Sequence, residues 1–281
     1  MSLPTLKTLL LIEELPTDGH APMKFLCEDR QVYYCKYRKA VKKEEIDMLG
    51  YEVICHSFLR QLGVPTPSIA LIELQEESFD PKQLLQNRKY AKPGCILFGS
   101  LEVPGADMVR DTELIRTERD FSKLENPADL IRIAVFDLWV DNIDRGRSIA
   151  PHAYNYNLLT APVEKKRQII AFDHAFAFGG ENGLRFYNPQ LPFSARDRLI
   201  TSPFFVSIVK HIPPVERLNI AHEFLHLCGE TASHTISNAF RDFSPSWQIP
   251  LPLEKRMVMF LSDQPRLDQI EAMIDSCLKA F

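Results

Sequence analysis

The sequence lacks the marks of several common protein classes. Its six cysteines (Cys27, Cys35, Cys55, Cys95, Cys228, Cys277) are scattered and form no C-x-x-C pair. That excludes a zinc-ribbon or thioredoxin-type motif and reads as buried, reduced thiols of a cytoplasmic protein. Excess positive charge is missing too. With 33 Lys and Arg against 37 Asp and Glu, the net charge is -4, so no overall field attracts nucleic acid and no direct nucleic-acid partner is expected. No apolar run reaches the ~18 residues of a membrane helix. Leu9 to Ile12 meets Glu13 and Glu14 at once, too short a stretch for a secretory signal. Internal repeats and low-complexity tracts are also absent. What is present is an apolar fraction of 45% in 281 residues, enough for one large domain or two modest lobes around a shared cleft.

The first hundred residues read as strands around a single helix. Thr5 to Glu14 is β-rich, Pro16 to His20 is turn chemistry, and Met23 to Cys27 and Gln31 to Tyr37 flank the polar tip Glu28-Asp29-Arg30. From Lys43 to Leu62 the apolar positions follow helical spacing, and Gly63 with Pro65 ends the run. Ser68 to Leu74 and Cys95 to Phe98 look like further strands around a basic insertion near Lys82 to Lys92. Gly99 to Gly105 resembles a hinge, after which the apolar period changes from two to about 3.6. Ala128 to Trp139, Pro214 to Cys228, Leu253 to Leu261 and Leu267 to Leu278 then read as helices. The expected architecture is α+β: a small β-rich lobe with one long helix over 1–99, and a larger, mainly helical lobe over 100–281.

Chemistry concentrates where the helix from Ala128 runs into Asp141-Asn142-Ile143-Asp144-Arg145-Gly146-Arg147. Asn157 to Thr160 and Gln168 to Asp173 should form a hairpin. Pairing Thr160 with Ile170 would set Asn157 opposite Asp173, beside the chain leaving Asp144. Taken singly, each residue has a plain structural reading: Asp144 as a loop cap, Asn157 in an Asx-turn, Asp173 as a solvated strand end. Taken together, they supply what phosphoryl transfer needs, a carboxylate to accept a hydroxyl proton and oxygen ligands for Mg²⁺. Lys36 shares a strand face with Tyr34, and Glu52 lies within an apolar helix face, where it is costly without a cation. A Lys36–Glu52 pair satisfies both.

These strings resemble HipA-like kinases. Asn142-Ile143-Asp144-Arg145-Gly146, Asn157-Leu158-Leu159 and Ile170-Ala171-Phe172-Asp173-His174-Ala175-Phe176-Ala177-Phe178 look like that family's catalytic loop, metal-binding asparagine and metal-binding aspartate. The same run is similar to type II phosphatidylinositol 4-kinases. Tyr33-Tyr34-Cys35-Lys36-Tyr37 matches the strand whose lysine holds the α/β-phosphates, Tyr51-Glu52-Val53 the helix glutamate that pairs with it, and Phe98-Gly99-Ser100 the hinge bordering the adenine pocket. The resemblance implies a two-lobed protein-kinase-like fold, ATP and Mg²⁺ as cofactors, Asp144 as base, Asn157 and Asp173 on the metal, and a protein hydroxyl as acceptor, while the second resemblance allows a small molecule or, ranked below it for want of a Lys/Arg cluster, a lipid. An antitoxin-like partner is not readable. Two departures stand out. Residues Arg147 to Tyr154 lengthen the link between Asp144 and its asparagine, which leaves Asn155 as an alternative to Asn157. The turn from Pro16 to Pro22 holds one glycine, Gly19, so backbone cradling of phosphates is partial, with Thr17 and His20 to supplement it.

Two other classes compete. His222-Glu223-Phe224-Leu225-His226 is a literal H-E-x-x-H, whose histidines share a helix face and can hold zinc with the glutamate as base. Ala232 stands where a third histidine would follow. The expectation is a packed helix with His222 bordering the core and His226 nearer the rim. The third class is an interaction protein that binds nucleotide without transferring phosphate. The retention of Lys36, Glu52, Asp144, Asn157 and Asp173 together argues against it.

Overall fold

The structure, a computed structural model, describes residues 3–16, 21–37, 44–110, 113–150, 153–179, 184, 196–250 and 252–280. Alternation of side chains builds the first unit. In strand β2 (Met23–Cys27), Met23, Phe25 and Cys27 point inward, and in β3 (Val32–Lys36) Tyr33 and Cys35 do so. Period two therefore turns Tyr34 and Lys36 outward. With β1 (Thr5–Glu14), β4 (Ile69–Glu73) and β5 (Ile96–Leu101) these strands close a barrel in the order β1-β2-β3-β5-β4. Gly99 faces the interior, where an added Cβ would lie 2.4 Å from Ile72 Cγ1; only glycine lets β5 close on β4.

Gly99 and Ser100 are thus strand residues, paired with Cys35 and Tyr34, and not part of a hinge. The strand runs on to Leu101 because the outward alternation of Phe98 and Ser100 continues beyond the apolar signal that ended at Phe98. At the other end of the barrel the Glu14 carboxylate accepts hydrogen bonds from the backbone N–H groups of Leu85, Gln86 and Asn87 and from Asn87 Nδ2. Asn87, buried, also donates to the Ala21 carbonyl at 2.7 Å.

Helix α1 (Glu44–Gln61) lies between the barrel and the helical remainder, with Leu49, Val53, Ile54, Phe58 and Leu59 buried. Those side chains join one core with α3 (Pro127–Trp139), an apolar helix begun by proline at its first turn, where the missing N–H costs nothing. A short sheet combines β6 (Asp107–Met108), β9 (Leu158–Val163) and β10 (Lys166–Ala171) in the order β10-β9-β6. The helices α2 (Glu118–Phe121), α4 (Pro203–Val209), α5 (Pro214–Arg241), α6 (Pro252–Leu261) and α7 (Gln264–Lys279) complete the chain. None is long and apolar enough to cross a membrane among the described residues.

Three expectations are corrected. Thr160 pairs with Ile169, not Ile170, so Asn157 stands opposite Phe172. The lengthened link after Asp144 is itself a hairpin, β7 (Arg147–Ala150) with β8 (Ala153–Asn155). Helix α5 does not stop at Cys228: Gly229 sits in open space, and Ala232, Ile236 and Ala239 carry its buried stripe to Arg241. A glycine inside a helix costs only ~1 kcal/mol, which that packing offsets. Val215, in the first turn of this helix, is exposed.

Candidate active site

The site starts from the outward face of β3. Lys36 Nζ lies 2.7 Å from Glu52 Oε1 on α1 and 2.7 Å from Asp173 Oδ1 just beyond β10. The other oxygen of Glu52 accepts the His174 backbone N–H at 2.8 Å. One buried glutamate therefore ties the barrel's lysine to the chain that carries Asp173. These residues line a cavity of about 870 Å³, together with Asp144, Asn155, Asn157, Phe98 and Ser100. Gly99 does not line it. Thr17, Gly19 and His20 lie outside the described residues.

Asn157 and Asp173 line the same cavity despite the shifted register, and Arg145 bridges the strand ends that carry them. It is fully buried and donates Nε to the Asn157 carbonyl at 3.3 Å and Nη2 to the Phe172 carbonyl at 2.5 Å. Its Nη1 pairs with Asp137 Oδ1 of α3 at 2.6 Å, which Asn142 Nδ2 also reaches at 3.0 Å. Asn157 and Asp173 both adopt positive φ, 46° and 58°, the left-handed region in which asparagine and aspartate are the tolerated side-chain residues. The extended runs of β9 and β10 thus break at their shared open end. There Asp144 Oδ2 accepts from Asn155 Nδ2 at 2.6 Å and Asn157 Nδ2 at 3.0 Å.

A sequence profile of HipA-like kinases matches residues 17–186. The chain belongs to the HipA-like kinase family. No curated protein sequence matches it. Among solved structures, the Helicobacter pylori proinflammatory kinase CtkA superposes with a TM-score of 0.55 at 12% identity, over 98% of this chain and 99% of that one. A Golgi casein kinase gives 0.48 at 12% identity, over 98% and 74%. HipA of Shewanella oneidensis MR-1, solved with HipB and its operator DNA, gives 0.46 at 11% identity, over 95% and 68%. The CtkA superposition shows the fold, that of a two-lobed kinase.

In this HipA-like kinase the charges around the cavity are uneven. Burial alone would lower the Lys36 ammonium, but Asp173 and Glu52 outweigh it and hold the group firmly protonated. Burial, with Asp173 nearby, pushes Asp144 above the usual carboxylate range. His174 is held well below the usual histidine range by burial and by Arg145. It is therefore neutral, and because arginine only donates, its Nε2 accepts from the Arg145 guanidinium at 3.1 Å.

Sequence reasoning missed two participants. Arg145 looked like one of a polar crowd, and nothing local signals that it is buried. His56 lines the cavity one turn beyond Glu52 on α1, with its pKa pushed down to about 4 by burial first and Arg60 second; the i, i+4 spacing from Glu52 was the available signal. The H-E-x-x-H string is used otherwise. His222 bonds Glu271 through Nδ1 at 3.2 Å and Asp275 through Nε2 at 2.8 Å, tying α5 to α7, while the exposed His226 faces Glu230 at 3.7 Å.

Proposed function

We propose that this kinase transfers the γ-phosphate of ATP, with Mg²⁺, to a hydroxyl on a protein serine or threonine, in the cytoplasm. The observation that carries the reading is Lys36 held between Glu52 and Asp173 on the wall of a cavity that Asp144 also lines. On this reading residues 1–99, with the last two residues of barrel strand β5, Ser100 and Leu101, form the nucleotide lobe, and the remainder of 100–281 the catalytic lobe. Apolar Leu15, Ile69, Phe98, Met108 and Leu159 suit the adenine, with Ser100 at its edge. Thr17 and Gly19 remain assigned to the phosphates by sequence alone.

The residues present fit a divalent cation. Glu52 and Asp173 share the Lys36 ammonium and Asp144 lines the same cavity, so carboxylates outnumber the ammonium there. Asp173 and Asn157 would hold the ion: Asn157 spends its amide N–H on Asp144, and its side-chain oxygen is the atom suited to a hard cation. Bound there, the ion would neutralise phosphate oxygens. Lys36 anchors the α/β-phosphates, and Glu52 keeps its ammonium in place. Asp144 takes the proton of the acceptor hydroxyl as the hydroxyl oxygen bonds to the γ-phosphorus. The bond from that phosphorus to the β–γ bridging oxygen breaks, and ADP leaves.

The test is calorimetric titration of ATP with and without Mg²⁺, followed by transfer of radiolabelled γ-phosphate to the protein itself and to a lysate. Mg²⁺-dependent binding with label in protein is expected. Binding without any transfer would instead favour the nucleotide-binding interaction protein, and no binding would remove the reading.

A further inference from the structure

Both asparagines that compete for the metal donate to one oxygen of Asp144, and their surroundings separate their tasks. An ionised carboxylate only accepts, so each amide must present its NH₂ to Asp144, which fixes both orientations. Two donors sit on Oδ2, and no hydrogen bond from the described residues reaches Oδ1, the oxygen that would meet an incoming hydroxyl.

Asn157 belongs to the metal side. Its carbonyl accepts from the Phe172 N–H at 3.3 Å, one residue before Asp173. Asn155 belongs to the β7–β8 hairpin. Its carbonyl accepts from the Gly146 N–H at 2.7 Å, and it pairs with Arg147 across the hairpin. Tyr156 between the two asparagines is buried against Phe204, with ring centroids 5.4 Å apart, and anchors the strand that presents them. Gly146 is itself locked, since at φ 81° an added Cβ would sit 2.2 Å from the Leu199 backbone nitrogen. The insertion after Asp144 thus returns to the same residue by a rigid route.

We propose that Asn155 is a positioning residue: it holds the Asp144 carboxylate so that Oδ1 meets the acceptor hydroxyl, and it takes no part in holding the metal. The proposal rests on Asp144 being the base.

The experiment compares Asn155→Ala, Asn155→Asp and Asn157→Ala with wild type. It measures γ-phosphate transfer to casein or water as surrogate acceptors, and Mg²⁺-dependent ATP binding by calorimetry. Asn155→Ala should lower kcat by about tenfold or more with KM for ATP and Mg²⁺ dependence of binding unchanged. Asn155→Asp should be worse than Asn155→Ala, because an anion then faces Asp144; for a metal ligand it would be the better tolerated change. Asn157→Ala should weaken the Mg²⁺-dependent binding. Calorimetric binding by each variant doubles as evidence that it folds, and Asn155→Ser, which retains a hydroxyl donor, replaces any that does not. An Asn155→Ala protein with wild-type kcat, or with Mg²⁺-dependent binding lost alongside kcat, overturns the proposal. Wild-type protein that binds ATP but transfers nothing to either surrogate, or an Asp144→Asn protein that turns over normally, overturns the role of Asp144 and the proposal with it.

Discussion

Replacing Glu52 by alanine tests the centre of the site. The carboxylate is buried, one oxygen on Lys36 and the other on the His174 N–H. Removing one partner of a buried ion pair costs about 3–5 kcal/mol. Here Asp173 still faces Lys36 at 2.7 Å, which places the expected loss at the lower end, about 3 kcal/mol including the stranded His174 N–H. For a protein of this size that corresponds to a melting temperature lower by about 6–12 °C. With Glu52 gone, Lys36 has Asp173 as its remaining carboxylate partner at the pair. The ammonium then loses the hold from α1 that fixes its place for the phosphates, and KM for ATP should rise about tenfold while the hydroxyl chemistry at Asp144 is untouched. Differential scanning calorimetry and initial-rate kinetics with surrogate acceptors read both effects. Glu52→Gln should fall between, since one amide oxygen cannot serve both donors. A Glu52→Ala protein with wild-type melting temperature and KM would refute the reasoning, because it would mean that Lys36 is held by something other than this pair.

Asp144→Asn should cut transfer by at least ~100-fold with ATP binding intact. In wild type kcat should fall with pH through a value above the usual carboxylate range, because the base works ionised and burial raises its pKa; equal rates for mutant and wild type would contradict the role. His56 is neutral in the fold down to about pH 4, whereas an unfolded histidine protonates near 6.5. The unfolded state alone takes up a proton between these values, so stability should drop by about 3 kcal/mol as pH falls through that window. Chemical denaturation of His56→Gln across the same range should show a shallower loss. Gly146→Ala, forced against the Leu199 backbone at positive φ, should lose about 3 kcal/mol or more, or fail to accumulate as soluble protein, and a variant with an unchanged urea midpoint would show that the loop yields.

The parts of the architecture that local pattern specifies were legible. Strands β1 and β2 follow from alternation and turn chemistry, and the Lys36–Glu52 pair follows because a carboxylate in an apolar helix face demands a cation. Register was not legible. Leu158, Leu159, Ile169 and Ile170 form unbroken apolar runs, and a strand without alternation gives no signal against a one-residue slip. Arg145 corrects for that slip in space, through carbonyls at the ends of two strands, and such long-range accounting leaves no trace in spacing. The same holds for Asn155, whose meaning depends on a hairpin that sequence showed only as extra length. Gly99 suggested a hinge because glycine before Pro104 looks like a joint; its actual reason is Ile72, a neighbour on another strand.

The Glu14–Asn87 clamp has a consequence for how one wall of the cavity is held. Leu15, Pro16 and Pro22 line the cavity from the two ends of the β1–β2 connection. Leu15 N–H joins the Pro22 carbonyl at 2.9 Å, but the bracing comes from outside, through a carboxylate gripping a segment some seventy residues away. Cavity wall and buttress are therefore one mechanical unit divided in sequence. A graft that imports the β1–β2 connection from another kinase without the segment around Asn87, or the reverse, would leave unsupported the two ends, at Leu15 and Pro22, by which it lines the cavity.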